Sequence, residues 1–128
     1  MAIKIAFFDA KTYDRESFDN EAAGLDLEIH YYKDRLSLRT AQLAQGKDAV
    51  CIFVNDECDR QVIDLLAEYG IRLIALRCAG FNNVDMAAAR GRIPVVRVPA
   101  YSPHAVAEYA VTLMLSLNRK VYRSVYRT

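Results

Sequence analysis

The chain has 128 residues, 53% of them hydrophobic, and a formal net charge of +1, which suits one domain with a buried core and is too short for two ordinary ones. Its 26% charged residues are almost balanced, so it has neither the composition of a disordered chain nor the cationic excess that binds nucleic acid or anionic membranes. Three cysteines, Cys51, Cys58 and Cys78, have no framework spacing, and no secretory signal opens the sequence, so a cytoplasmic protein is expected. The longest apolar run, Val111 to Leu117, falls far below the roughly 18 to 20 residues of a membrane span.

In chain order, Ala2 to Phe8 reads as a strand, Thr12 to Ala23 as a helix and Leu27 to Tyr32 as a second strand. Leu38 to Gln45 then reads as a helix, Ala49 to Val54 as a strand and Cys58 to Tyr69 as a helix with an apolar face. Ile71 to Leu76, Val84 to Arg90 and Val95 to Val98 complete the series as strand, helix and strand. The strands are almost continuously apolar, the pattern of parallel strands covered on both faces. This alternation predicts an α/β fold, a doubly wound five-stranded parallel sheet, with its ligand site beyond the carboxyl ends of the strands.

The last element differs. Ser102 supplies an N-cap and Pro103 a first helical residue, and the pattern predicts one long C-terminal helix running to about Arg127. Residues 1–100 are therefore expected to form the sheet domain and 101–128 the long helix, whose basic end at Arg119, Lys120, Arg123 and Arg127 is either a solvated terminus or a lead into something else.

Motifs narrow the chemistry. Gly24, Gly46, Gly70, Gly80 and Gly91 are isolated, so neither GxGxxG nor a Walker sequence is present to cradle a pyrophosphate. His30 and His104 lie far apart and no cysteine pair has ligand spacing, so no metal site is expected. Cys51 reads as a buried strand residue, and His104 as a neutral residue in the first turn of the last helix.

Two stretches stand out. Arg77-Cys78-Ala79-Gly80-Phe81-Asn82-Asn83-Val84-Asp85 leaves an apolar strand through a turn rich in glycine and cap formers, where backbone amides can meet a carboxylate or phosphate. Val96-Arg97-Val98-Pro99-Ala100-Tyr101-Ser102-Pro103-His104-Ala105-Val106-Ala107-Glu108-Tyr109-Ala110 is stiffened by two prolines and carries Tyr101 on the same sheet edge. Each alone is an ordinary capped turn or packing tyrosine.

Together, at this separation, they resemble the D-isomer-specific 2-hydroxyacid dehydrogenases, and within them the bacterial D-lactate dehydrogenases. The likeness extends through Ala49-Val50-Cys51-Ile52-Phe53-Val54-Asn55-Asp56 and Leu117-Asn118-Arg119. It implies that this is the family's flavodoxin-like substrate domain, joined by the long helix to an NAD-binding Rossmann domain that is absent from these residues. It further implies that backbone amides of Cys78, Ala79 and Gly80 hold the carboxylate of a small 2-keto or 2-hydroxy acid. Tyr101 then lines the pocket, Phe53 borders the substrate's side chain and Val106 lies near the nicotinamide.

The catalytic arginine and the histidine-carboxylate pair of the family match nothing in this chain. The 128 residues alone are expected to be inactive, with no cofactor bound, and to hide their apolar surface by forming a homo-oligomer through the long helix. Two departures are visible: the family often has histidine where Tyr109 stands, and the segment between Asp85 and Val95 is one residue short. The competing reading is a non-enzymatic receiver or oligomerisation module, for which Asp9 and Asp56 follow suitable strands. However, no lysine ends the fifth strand, which stops at Val98-Pro99.

Overall fold

The computed structural model describes residues 2–78, 82–98 and 103–117. Five strands form one all-parallel sheet: β1 (Ile3–Phe7), β2 (Leu27–Tyr31), β3 (Ala49–Ile52), β4 (Leu73–Leu76) and β5 (Val95–Arg97). Their order across the sheet is β2-β1-β3-β4-β5. The chain thus steps outward from β1 to β2, then returns past β1 to lay down β3, β4 and β5. Between β1 and β3 the winding reverses, and in such sheets the crevice at that reversal is where ligands bind.

Helices α1 (Thr12–Ala22) and α4 (Pro103–Leu115) cover one face, and α2 (Arg60–Glu68) and α3 (Met86–Ala89) the other. Side chains alternate along each strand, so Ile3, Ile5 and Phe7 enter one core with Phe18 of α1 and Ala107, Ala110 and Met114 of α4. Ala6 and Phe8 enter the other with Val62, Ile63 and Leu66 of α2. This explains the unbroken apolar runs of β3 and β4, whose residues are all buried between the two helical layers. The rings of Phe7 and Phe18 meet edge to face, 4.7 Å apart, the favoured geometry for an aromatic pair.

Three elements depart from expectation. The predicted helix over Leu38 to Gln45 is a single 3₁₀ turn, Ala41–Ala44. Thr40 Oγ1 accepts from Ser37 N at 2.9 Å and donates to the Arg35 carbonyl at 2.6 Å, and such local side-chain bonds compete with helix formation. The helix expected over Val84 to Arg90 shrinks to α3, because Val84 forms a parallel bridge with Cys58 and Asp85 becomes the N-cap, its Oδ1 accepting from Ala88 N at 3.0 Å. The last helix tightens after Leu115, where Ser116 N and Leu117 N donate to carbonyls three residues back. Its expected continuation to Arg127 lies outside the described residues. No described helix is long and apolar enough to cross a membrane.

Candidate functional site

The carboxyl ends of β1, β3 and β4 converge on Arg77, the first residue after β4. Its side chain is only 3% exposed, in a place the apolar run of β4 would give to another aliphatic residue. Burying a guanidinium is costly unless its donors are satisfied, and here they are. Nη2 donates to the carbonyls of Phe8 at 3.1 Å and Asp9 at 3.0 Å, and Nη1 lies 3.7 Å from Cys51 Sγ. The guanidinium carbon sits 4.1 Å from the centre of the Phe7 ring and 5.3 Å from that of Phe53. Cationic planes over aromatic faces are attracted by the ring quadrupole. The Arg77 amide donates to the Ile52 carbonyl at 2.8 Å, so backbone and side chain together bind this residue to β1 and β3.

Two buried carboxylates stand at the start of α1 and the loop before it, and one of them, Asp14, pairs with this arginine. Asp14 Oδ2 lies 3.8 Å from Nη2 and also accepts from Lys11 N at 3.0 Å, at the start of α1. Asp9 stands in the left-handed region at φ 51, which aspartate tolerates better than most residues. Its Oδ1 pairs with Lys11 Nζ at 2.9 Å, while its buried Oδ2 has no hydrogen-bond partner among the described residues.

A second set of bonds shapes the loop after β3. Asp56 is 1% exposed, and its two oxygens each accept a backbone N–H at 2.6 Å, from Leu36 and from Phe53. Burial raises its carboxyl above the ordinary range despite those bonds. Asn83 Nδ2 donates to the carbonyls of Phe53 and Asp56, both at 2.9 Å. Next to it, Cys58 N donates to the Asn83 carbonyl and Asp85 N to the Cys58 carbonyl, both at 3.0 Å, stitching the loops after β3 and β4 together. With both oxygens committed, Asp56 is not placed as the acceptor of a phosphoryl group, which removes the main support for a receiver module.

Of the predicted site residues, Cys78 is buried at the end of β4 and Phe53 is half-buried beside Arg77. Val106, on α4, is 7% exposed and packs in the core that contains Val98 and Ala107. Ala79, Gly80 and Tyr101 lie outside the described residues. The sequence reading assigned Arg77 and Asn83 no role beyond their turn, and Asp56 one only in the competing receiver module. A charged residue ending the apolar run Leu73-Ile74-Ala75-Leu76 was the available signal for the first; nothing in the spacing of the other two foretold their partners.

The described residues do not fit the phosphates of a dinucleotide. Gly24, Gly46, Gly70 and Gly91 each follow a helical element, at the amino edge of the sheet, and none lies where β1 enters α1. What the structure defines is an α/β domain with an all-parallel five-stranded sheet, whose candidate site lies among the loops after β1, β3 and β4.

The profile of the D-isomer specific 2-hydroxyacid dehydrogenase catalytic domain matches residues 5–126. The chain belongs to that family. It is 52% identical over 126 residues to 2-hydroxyacid dehydrogenase homolog 1 of Schizosaccharomyces pombe, covering 98% of this chain and 38% of the relative. It is 47% identical over 127 residues to D-lactate dehydrogenase of Escherichia coli, covering 98% and 39%. The apo-structure of the E. coli enzyme superposes with a TM-score of 0.74 at 45% identity, over 98% of this chain and 41% of that one. Residues 1–128 thus span about two fifths of the length of these curated relatives.

Proposed function

We propose that residues 1–128 are the substrate-binding part of an NAD-dependent D-2-hydroxyacid dehydrogenase that interconverts pyruvate and D-lactate. The observation that carries this reading is the convergence of Phe53 and the strand end at Arg77-Cys78 on the reversal point of the sheet, within a chain of this family. E. coli D-lactate dehydrogenase is similar over nearly the whole chain, and a related Lactobacillus delbrueckii enzyme of 32% identity is described in its NAD complexed form.

On this reading the backbone amides of Cys78, Ala79 and Gly80 receive the carboxylate of a small 2-keto acid, with Tyr101 against it. The half-buried ring of Phe53 limits the length of the substrate's tail, and Val106 offers an apolar edge to the nicotinamide. NADH would supply the hydride for reduction of the keto acid, and NAD would take it back in the reverse direction, the nucleotide being held by a dinucleotide-binding domain outside these residues. Fixing the acid in one orientation is this chain's contribution, and such positioning supplies a large share of many rate enhancements. Residues 1–128 alone lack a polarising arginine and an acid/base histidine in these roles, so they form a binding surface without turnover. Self-association through the last helix covers its remaining apolar face in a cytoplasmic oligomer.

The test is NADH oxidation by the full-length protein with pyruvate, and chiral analysis of the product. D-lactate is expected. Absence of pyruvate reduction by a folded, NADH-binding preparation refutes the proposal, and turnover by the isolated 128 residues refutes the assignment of the chemistry to another domain.

A further inference from the structure

Arg77 has more contacts than a core residue needs to be tolerated. Its guanidinium spans from the carbonyls that end β1 to the ring of Phe53, while its own backbone leads directly into Cys78. A planar fork with two carbonyls on one nitrogen and aromatic rings beside it has one orientation, and whatever it touches inherits that orientation. The carboxylate of Asp14 supplies countercharge from α1, while that of Asp9 pairs with Lys11.

We infer that Arg77 is a positioning residue for substrate selection: it fixes, relative to each other, the start of the carboxylate-holding turn at Cys78 and the Phe53 ring that limits substrate length. This rests on the functional reading above. Arg77 itself touches no reacting atom. If the guanidinium is removed, Phe53 loses a partner 5.3 Å from its ring centre and the strand end loses its tie to the Phe8 and Asp9 carbonyls. The distance between carboxylate and tail subsites is then no longer set, so discrimination between a short and a long 2-keto acid must relax.

Arg77→Lys separates this role from simple structural support. Lysine keeps the charge but cannot bridge two carbonyls while lying flat on a ring. A merely destabilised enzyme has fewer active molecules, which lowers apparent kcat equally for every substrate and leaves the ratio of kcat/KM between two substrates untouched. In the full-length protein we expect R77K to raise KM for pyruvate about tenfold with a smaller change in kcat. We also expect the preference for pyruvate over 4-methyl-2-oxopentanoate to fall roughly fivefold or more.

A preference ratio within about twofold of the parent's overturns the inference while leaving pyruvate reduction intact. A parent protein inactive on both acids overturns the functional reading and the inference with it. Should R77K fail to fold, Asp14→Asn gives the second measurement, since it weakens the countercharge 3.8 Å from Nη2 without altering any group beside Phe53. A smaller shift of the ratio in the same direction supports the inference, and an unchanged ratio sinks it.

Discussion

The side-chain amide of Asn83 donates to the carbonyl of Phe53 at 2.9 Å, so a residue of the loop after β4 holds the backbone of a residue after β3. Its other hydrogen goes to the Asp56 carbonyl at the same distance, and an amide nitrogen has two to give. Asn83→Ala leaves both carbonyls without their donor and is expected to cost about 1 to 3 kcal/mol. Urea unfolding measures this. A change below about 0.5 kcal/mol, the level of an ordinary surface substitution, would show that the two loops hold together without it.

Asp56 gives a test in pH. Its folded carboxyl is raised by burial above the ordinary value of 3.8, so protonation favours the folded state. The stabilisation is fully present below the unfolded value and is lost as pH rises through the higher folded one. Asp56→Asn has no such titration and forces an amide NH2 toward one of the two backbone N–H donors, at a cost of about 1 to 3 kcal/mol. The stability difference between parent and D56N should therefore be larger near pH 4 than at pH 7. The opposite slope, in paired denaturation curves, would show that the two backbone bonds outweigh burial and hold the carboxyl low.

Asp9 tests the backbone. At φ 51 a β-branched side chain is severely crowded, while asparagine is tolerated almost as well as aspartate. Asp9→Val is expected to lose about 1 to 3 kcal/mol. Asp9→Asn should lose less than about 1, since the partner it gives up, Lys11, is half-exposed and such pairs contribute little. Equal thermal shifts for the two variants would mean that the left-handed turn is not what the site demands of this residue.

The thiols of Cys51 and Cys58 are pushed up by burial to about 11 and about 12. Thiolate is the reacting species, so at pH 8 both are expected to resist alkylation in the native protein and to react at once in denaturant. Modification of either within minutes under native conditions, located by peptide mass, would contradict the packing of β3 and of the Cys58–Val84 bridge.

The strands were readable because they are buried on both faces: a run such as Ala49-Val50-Cys51-Ile52 leaves little room for another assignment, and parallel order followed from the intervening helices. The segment around Thr40 was not readable, since its fate depends on where a hydroxyl finds a carbonyl. The candidate site was legible only in its local turn chemistry. Local turn chemistry marked Cys78 as a candidate, but the strand end before it is tied down by Arg77 with Phe8 and Asp9, nearly seventy positions earlier in the chain. Long-range bonds of that kind leave no periodic trace in a sequence.

Helix α4 shares its core with the sheet: Ala107, Ala110 and Met114 lie fully buried with Ile5 and Phe7. It therefore belongs to the unit that must be moved whole when this region is exchanged between related dehydrogenases. A recombination junction placed before Pro103 would separate Ile5 and Phe7 from half of their cover, leaving only α1 on that face. One placed after Leu117 keeps that core whole, and it is there that hybrids should be cut.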